Sequence, residues 1–302
     1  MPTALPALNL VAVPGQRRAT LDMAREIEQR GFAGISASSQ YSNMSQCLGL
    51  AFATERIAFA TAIAPIYAAT AEEFANSAAY LHEVSGGRFQ FGIGVAHAPL
   101  HQRIGVTPGR PLADIRDFVA KLRSVDGIGP LPPVILAALR RRMVALAAEI
   151  ADGVVFANAA RSHMAASLAA LSAEKRRDPG FFVGNRIRTC VGDEAEAKAV
   201  LRRTVANYAL MPNYRNYWKE AGYVEEMTAI ENAVAAGRID EIGKYLPDRW
   251  LADITLFGPA AKIRDGVEAW RAAGIRTPVL VPLSADGDPK TALRQVFAAF
   301  AD

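Results

Sequence analysis

The sequence predicts a single (β/α)8 barrel, an α/β fold in which eight strand–helix units follow one another. Strand-like and helix-like segments alternate along the whole chain, which favours a parallel sheet with helical crossovers. Eight such units in 302 residues fit one closed barrel domain over residues 1–302. No Gly-x-Gly-x-x-Gly sequence follows the first strand, which disfavours an open dinucleotide-binding sheet.

The eight predicted strands are short runs rich in apolar residues, separated by helical segments or turn residues. They are Leu8–Val13, Gly34–Ser38, Ile57–Ile66, Phe89–Ala96, Val134–Ala138, Gly153–Ala157, Phe182–Val191 and Pro278–Pro282. The third run is almost uninterrupted, which is typical of a parallel strand covered on both faces.

Segments with helical spacing occupy the intervals between the strands. Thr20 is the predicted N-cap of a helix that ends at Gln29. The helix over Thr70–Val84 has two acidic residues in its first turn and a glycine pair after its end. Further helices are predicted at Leu112–Ser124, up to Ala151, and at Ser162–Arg177, Pro259–Ala273 and Pro289–Ala299.

A helical insertion at residues 206–251 separates the seventh strand from the eighth. It carries five aromatic residues: Tyr208, Tyr214, Tyr217, Trp218 and Tyr223. Two interpretations stay open. The insertion either adds helical packing or forms a lid or wall of a substrate site.

The composition limits the partners of the chain. The net charge is +4 and the basic residues are scattered, so nucleic acid is not an expected partner and a small anionic ligand is. No apolar run is long enough for a membrane helix. Cys47 and Cys190 have no metal or redox spacing and are predicted to be packing thiols, and the expected location is the cytoplasm.

Several reaction classes lack their residues. His97 and His101 have a spacing that chelates metals on a helix, but Pro99 lies between them. The sequence therefore predicts no metal site. A serine nucleophile elbow and a phosphate-binding P-loop are absent. A barrel aldolase or isomerase would require a lysine at a strand end, and only arginines occur there, which disfavours this class.

In a (β/α)8 barrel the residues that follow the strands form the site. Small residues end the third and fourth strands, and the fifth leads into a helix that begins near Arg140-Arg141-Arg142. This pattern suits a flat ligand whose phosphate sits on the helix N-terminus. The alternative is ordinary barrel packing with solvated arginines.

Four segments resemble the luciferase-like flavin and deazaflavin oxidoreductases. They are Thr54–Pro65, Leu81–Gly94 with its Ser-Gly-Gly-Arg turn, Leu146–Gly153 and Leu256–Pro259. The resemblance spans roughly residues 8–283. The long helical region before Phe257-Gly258 resembles in particular the branch that uses coenzyme F420.

The resemblance implies a flavin-type ring at the barrel mouth, against Ala62-Ile63, where the family often has a non-proline cis peptide. The phosphate would lie on the loop from Ala137 to Met143. The candidate cofactor-binding residues are Ser39, Thr61, Ala62, Ile63, Gly94, Val95, Ala96, Ala137, Ala138, Leu139, Arg140, Arg141, Arg142, Met143 and Asn158.

The implied activity is hydride transfer between coenzyme F420 and a small organic substrate. An FMN-dependent monooxygenase and a barrel that binds a flavin without turnover are the alternatives. Relatives in this family are often dimers, so a homodimer is expected.

Two positions depart from the family's pattern. The phosphate loop has Arg140-Arg141 where the family usually has glycine, and Ser38-Ser39-Gln40 stands where relatives commonly place an acid or a histidine. His97 is therefore the candidate catalytic residue, as the titratable group after the fourth strand. A structural hydrogen bond is the other interpretation of His97, and loop structure is the other interpretation of Asn158.

Overall fold

The structure is a computed structural model that describes residues 4–40 and 42–301. These residues contain ten β-strands: β1 (Ala7–Leu10), β2 (Ile35–Ser38), β3 (Phe59–Ala62), β4 (Ala64–Pro65), β5 (Phe89–Gly94), β6 (Val134–Ala137), β7 (Gly153–Ala157), β8 (Phe182–Val191), β9 (Thr255–Gly258) and β10 (Thr277–Leu283). The eight predicted strands are all present, with the third divided into β3 and β4.

The described residues also form fourteen α-helices and two 3₁₀ segments. The helices are α1 (Arg17–Gln29), α2 (Asn43–Ala53), α3 (Ala71–Val84), α4 (Ala98–Ile104), α5 (Pro111–Arg123), α6 (Arg141–Ile150), α7 (Met164–Leu168), α8 (Ala173–Arg177), α9 (Glu194–Ala209), α10 (Pro212–Glu220), α11 (Val224–Ala235), α12 (Asp248–Ile254), α13 (Ala260–Ala272) and α14 (Pro289–Ala299). The 3₁₀ segments are Arg161–His163 and Ile239–Tyr245.

The strands follow the order β10-β1-β2-β3-β5-β6-β7-β8-β9, with β4 paired to β5 and β10 also paired to β8. The neighbours from β1 to β7 pair in parallel, as do β8 and β9. Helices lie between most successive strands, as parallel connections require. This order is that of the predicted barrel, and β9 is the additional strand.

The chain divides into two compact units. The first comprises the residues up to Val155 together with Ala170–Gly184, and the second comprises Phe156–Ala169 and the residues from Asn185 onward. In the first unit the rings of the buried Phe59 and Phe89 lie 5.7 Å apart. In the second, the buried indoles of Trp218 and Trp250 meet edge to face, with centroids 4.7 Å apart.

The Ser-Gly-Gly-Arg turn has a structural task. Gly86 and Gly87 take positive φ values of 63° and 82°, which let the chain leave α3 at no steric cost. The Arg88 guanidinium then donates to the carbonyls of Ala51 at 2.8 Å and Thr54 at 3.0 Å, and to the Thr54 hydroxyl at 2.8 Å. Arg88 therefore fixes the end of α2 to the start of β5.

Three local predictions are corrected by the structure. Thr20 is not an N-cap, because α1 begins at Arg17 and the Thr20 hydroxyl donates back to the Gln16 carbonyl at 3.2 Å. The third strand is interrupted at Ile63. The predicted helix Ser162–Arg177 is broken into a 3₁₀ turn and two five-residue helices, α7 and α8. Thr70 is the N-cap of α3, since its hydroxyl accepts from the Glu73 N–H at 3.1 Å.

Three further observations concern the cysteines, metal-binding clusters and membrane-spanning helices. Cys47 and Cys190 are buried free thiols, as predicted, and burial raises the pKa of each. In residues 4–40 and 42–301 we find no cluster of three His, Cys, Asp or Glu side chains suited to a metal ion. Over the same residues no helix combines the length and hydropathy needed to span a membrane.

The Glu28 carboxylate holds the loop before β3. It accepts hydrogen bonds from three consecutive backbone N–H groups: Glu55 at 3.0 Å, Arg56 at 2.6 Å and Ile57 at 2.8 Å. Burial by itself would raise the pKa of Glu28, but the backbone donors and the Arg56 charge outweigh burial and lower it. The charged carboxylate therefore stabilises the fold.

The substitution Glu28→Gln is expected to lower the free energy of unfolding at pH 7 by about 1–2 kcal/mol, because a neutral amide is a weaker acceptor. Since the folded pKa is depressed, the contribution is complete above the unfolded value of about 4.3 and is lost as pH falls below it. Urea unfolding at several pH values from 7 to 3 measures this, with the exposed Glu83→Gln as control. If the difference in free energy of unfolding between Glu28→Gln and the wild type does not shrink in acid, the prediction is wrong.

Candidate functional site

The carboxyl ends of β2 to β6 lie side by side in the first unit. Ser38 is in register with Ala62, Pro65 with Gly94, and Ile93 with Leu136. The residues that follow these strands therefore meet at one edge of the parallel sheet. This edge is where barrels of this kind place their sites.

Gly94 lies between two of the predicted site residues. A Cβ on Gly94 would be 3.1 Å from the Ala137 Cβ and 3.1 Å from the Ile63 Cδ1. The bond between Ala62 and Ile63 is a cis peptide that does not involve proline, as the family resemblance implies. Ile63 and Ala137 thus close around the buried Gly94 backbone from two sides. We call these three residues the ring seat.

Thr61 and Ser39 flank the ring seat in different ways. The Thr61 side chain is buried and its hydroxyl donates to the Gly92 carbonyl at 2.7 Å, so this hydroxyl serves the contact between β3 and β5. Ser39 is exposed immediately after β2. The structure brings Ala62, Ile63, Gly94 and Ala137 together, whereas the Thr61 hydroxyl points to the sheet.

His97 lies in the loop after β5, directly before α4. It is half-buried with an extended backbone, and Ala96 before it has a positive φ of 59°. Burial lowers the pKa of His97, and the charge of His101 lowers it further. The imidazole is therefore neutral at pH 7, where it can accept a proton. His97 stands outside α4 and His101 inside it, so the two histidines do not share one helix face.

A second histidine anchors this loop. The His101 Nε2 lies 2.5 Å from the Val95 carbonyl oxygen, and the Tyr67 ring meets the His101 ring edge to face at 5.4 Å. Tyr67 in turn donates its hydroxyl to Asp114 Oδ2 at 2.6 Å. Burial, and then the Asp114 carboxylate, raise the pKa of Tyr67. This network connects the loop after β5 to α5.

The predicted phosphate loop leads from β6 into α6. Ala138 is buried, and its N–H donates to the Val155 carbonyl at 3.0 Å, so that N–H belongs to the sheet. Leu139 is half-buried and Arg140 is the N-cap residue. The first bond of the helix runs from the Met143 N–H to the Arg140 carbonyl at 3.0 Å.

The first turn of α6 carries two solvent-exposed cations. Arg141 and Arg142 are exposed, and their backbone N–H groups lie in the turn that has no intrahelical acceptor. The positive end of the helix dipole adds to their charge. The arrangement suits a phosphate group, in agreement with the pattern seen in the sequence.

Asn158 belongs to the second unit and stands in a polar cluster there. It follows β7 with a positive φ of 54° and is fully buried. Its Oδ1 accepts from the Arg188 guanidinium, and its carbonyl accepts from the Trp218 indole at 3.0 Å. The Arg188 guanidinium also donates to the Tyr208 hydroxyl. Sequence reasoning missed Arg186 and Arg188, although two arginines at alternate positions of a buried strand are an unusual pattern.

The insertion contributes its aromatic residues to the core of the second unit. Tyr214, Tyr217 and Trp218 of α10 are buried, which favours the packing interpretation for these three. Tyr208 on α9 is only half-buried and contacts Arg188. Tyr208 and Trp218 of the insertion thus both contact the polar cluster.

The comparison with family models identifies the class of protein. A model described as "Luciferase-like monooxygenase" matches residues 5–277. The chain belongs to the luciferase-like monooxygenase family, and it is an enzyme, as predicted.

Individual relatives extend this result. The chain is 25% identical over 284 residues to the 5,10-methylenetetrahydromethanopterin reductase of Archaeoglobus fulgidus, covering 82% of this chain and 84% of the relative. It is similar in structure to the coenzyme F420-dependent tetrahydromethanopterin reductase of Methanopyrus kandleri, with a TM-score of 0.76 and 17% identity over 97% of this chain and 98% of that one.

A solved structure with a different cofactor shares the fold. It is the oxygenating constituent of 3,6-diketocamphane monooxygenase of Pseudomonas putida in complex with FMN, with a TM-score of 0.65 and 14% identity over 99% of this chain and 97% of that one. The predicted (β/α)8 barrel fold is confirmed by these neighbours. Proteins of this fold therefore include users of both F420 and FMN.

Proposed function

We propose that this chain is an oxidoreductase that transfers a hydride between coenzyme F420 and a small organic substrate. The observation that carries the proposal is the ring seat, where Ile63, Gly94 and Ala137 meet at the carboxyl edge of the sheet and Gly94 presents no side chain. The similarity to an F420-dependent reductase supports the choice of coenzyme.

The residues of the first unit fit such a cofactor. A methyl group on Gly94 would lie 3.1 Å from both neighbours, closer than ordinary van der Waals contact, so the close approach of Ile63 and Ala137 to this backbone favours glycine. Arg141 and Arg142 place exposed positive charge on the N-terminal turn of α6, which suits the phosphate and the anionic tail of the coenzyme. When bound, the deazaflavin supplies the hydride chemistry.

The chain itself supplies orientation and a proton site. Ile63 and Ala137 would support the ring from β3–β4 and β6, and the first turn of α6 would hold the phosphate. The neutral His97 imidazole can take up the proton that the substrate releases when it loses a hydride, or return a proton in the reverse reaction. The contacts of His101 with Val95 and Tyr67 keep the His97 loop in place.

Titration of the purified protein with F420 and, separately, with FMN tests the cofactor. We expect F420 to bind with a micromolar or lower Kd, and the bound coenzyme to change its absorbance when a substrate is added. If neither cofactor binds at high micromolar concentration, the proposal is wrong.

An FMN-dependent monooxygenase is the second candidate, favoured by the structural similarity to a monooxygenase solved with FMN. Tighter binding of reduced FMN than of F420, with oxygen consumption on substrate addition, would support it. Binding of either cofactor without turnover on any substrate of a broad panel would instead indicate a flavin-binding barrel without catalysis.

The substitution His97→Gln is expected to lower kcat by about 100-fold while the Kd of F420 stays within about threefold, because general acid–base catalysis contributes on that scale. The neutral imidazole is the active base, so wild-type activity should fall only as pH drops through a pKa below the ordinary histidine value of about 6.5. The variant should lack that acidic limb. His82→Gln on α3 is the control, and an unchanged pH profile in His97→Gln would exclude His97.

We further propose that the chain forms a homodimer through α2 and α3. Phe52 is 68% exposed and Tyr80 is 55% exposed, and Leu48 and Tyr80 line one groove of the first unit. Large apolar side chains exposed together on neighbouring helices are typical of a protein interface. A second copy of the chain is the expected occupant.

The substitution Phe52→Glu should convert the dimer to a monomer, because it would bury an unpaired charge in the interface. Size-exclusion chromatography with light scattering measures the mass. Ile239→Glu, at an exposed apolar residue of the second unit, should leave the mass unchanged. A wild-type protein that is monomeric at micromolar concentration would contradict the proposal.

A further inference from the structure

Strand β8 carries an unusual pair of side chains. Arg186 and Arg188 are two positions apart and so lie on the same face of the strand, and both are half-buried. The intervening Ile187 and the following Thr189 are fully buried. Arginine is among the residues least often found inside proteins, so two of them on one strand face are an unusual feature.

The surroundings of Arg188 are polar but neutral. Its guanidinium donates to Asn158 Oδ1 and the Tyr208 hydroxyl, and it lies 4.2 Å from the centroid of the Tyr208 ring. The Tyr214 ring meets the Tyr208 ring edge to face at 5.1 Å. None of these partners carries a negative charge at pH 7, so they orient the guanidinium without neutralising it.

The charge of Arg188 acts on Arg186. Burial, and after it the positive charge of Arg188, lower the pKa of Arg186 to about 10. Two positive charges at partly buried positions repel more strongly than they would in water. A bound anion would remove this repulsion and accept from the donors that both side chains carry.

We propose that Arg186, Arg188 and Tyr208 form a binding site for an oxyanion, a carboxylate or a phosphate, on the substrate. The site lies in the second unit beside Asn158, the first residue after β7, and hence at the carboxyl end of that strand. Guanidinium groups match both oxyanions in two-pronged geometry. The assignment to a substrate rests on the proposed function, whereas the anion site itself does not.

The test is an anion titration of the protein without added cofactor. Benzoate and acetate represent carboxylates, inorganic phosphate represents phosphate esters, and chloride at equal ionic strength is the control. We expect at least one oxyanion to raise the thermal unfolding temperature saturably, by about 2 °C at ten times its Kd. Which oxyanion binds tighter distinguishes a carboxylate substrate from a phosphorylated one.

Single substitutions locate the site. Arg186→Gln and Arg188→Gln should each weaken binding of the oxyanion by about 10-fold or more. Arg188→Lys should weaken binding less, because it keeps the charge and loses only the two-pronged geometry. Arg203→Gln removes a charge at an exposed position of α9 and should change the Kd by less than about twofold. Tyr208→Phe keeps the ring and reports on the cluster should Arg188→Gln fail to fold.

Three results would overturn the proposal. Chloride could stabilise the wild type as much as the oxyanions do, or Arg203→Gln could weaken the oxyanion as much as Arg188→Gln does. Competition between the oxyanion and F420 would assign the site to the tail of the cofactor instead of the substrate. Oxyanion binding in a protein that binds neither F420 nor FMN would preserve the site and reject the proposed function.

Discussion

Replacing Gly92 with alanine is expected to cost about 4 kcal/mol or more of stability, or to prevent folding altogether. A Cβ at this position would lie 1.9 Å from the Thr61 carbonyl oxygen and 3.1 Å from the carbonyl carbon. Neither atom belongs to a flexible side chain. Strands β3 and β5 would have to separate, which breaks the pairing of Phe59 with Phe89 and of Ala60 with Gln90.

The same movement would break the 2.7 Å hydrogen bond from the Thr61 hydroxyl to the Gly92 carbonyl. Both buried groups would then lack this hydrogen-bond partner. Soluble yield and urea unfolding measure the effect. The matched control is Gly243→Ala, because a Cβ there meets nothing within 4 Å. If Gly92→Ala unfolds within about 1 kcal/mol of Gly243→Ala, backbone crowding is not the reason for glycine at this position.

The strands could be predicted from the sequence because a parallel strand that is covered on both faces appears as an apolar run between helices. Strand β9 was missed for a physical reason. Thr255–Gly258 follows α12 without any intervening turn residue, and a four-residue apolar run beside a helix looks like its last turn. The third strand is interrupted at Ile63, beside the cis bond that only the family resemblance indicated.

The parts of the site that could be predicted are those formed by residues close together in the sequence. The glycines of the fourth strand were interpreted as space for a ligand, and the structure separates two tasks among them. A Cβ at Gly92 would collide with the Thr61 carbonyl, whereas a Cβ at Gly94 would crowd the side chains of Ile63 and Ala137. The pair Arg186 and Arg188 was overlooked because the significance of each depends on Asn158 and Tyr208, which are distant in sequence.

Reversing two charges on α6, Arg141→Glu with Arg142→Glu, is expected to weaken F420 binding by about 100-fold. Each lost charge-assisted hydrogen bond to phosphate accounts for roughly 10-fold, and the new carboxylates repel the anionic tail. Both side chains are exposed, so the unfolding temperature should stay within about 1 °C of the wild type. Fluorescence titration with F420 gives the Kd, and thermal unfolding of the same preparation confirms the fold.

A second double substitution separates a specific phosphate site from a general effect of net charge. Arg176→Glu with Arg177→Glu changes the charge of the same unit by the same amount on α8, where both residues are exposed. Its Kd for F420 should lie within about threefold of the wild type in 0.15 M salt, because exposed charges that do not contact the ligand are strongly screened at this ionic strength. Equal weakening in both variants would show that the coenzyme responds to overall charge. The phosphate would then have to be held by another part of the chain than the first turn of α6.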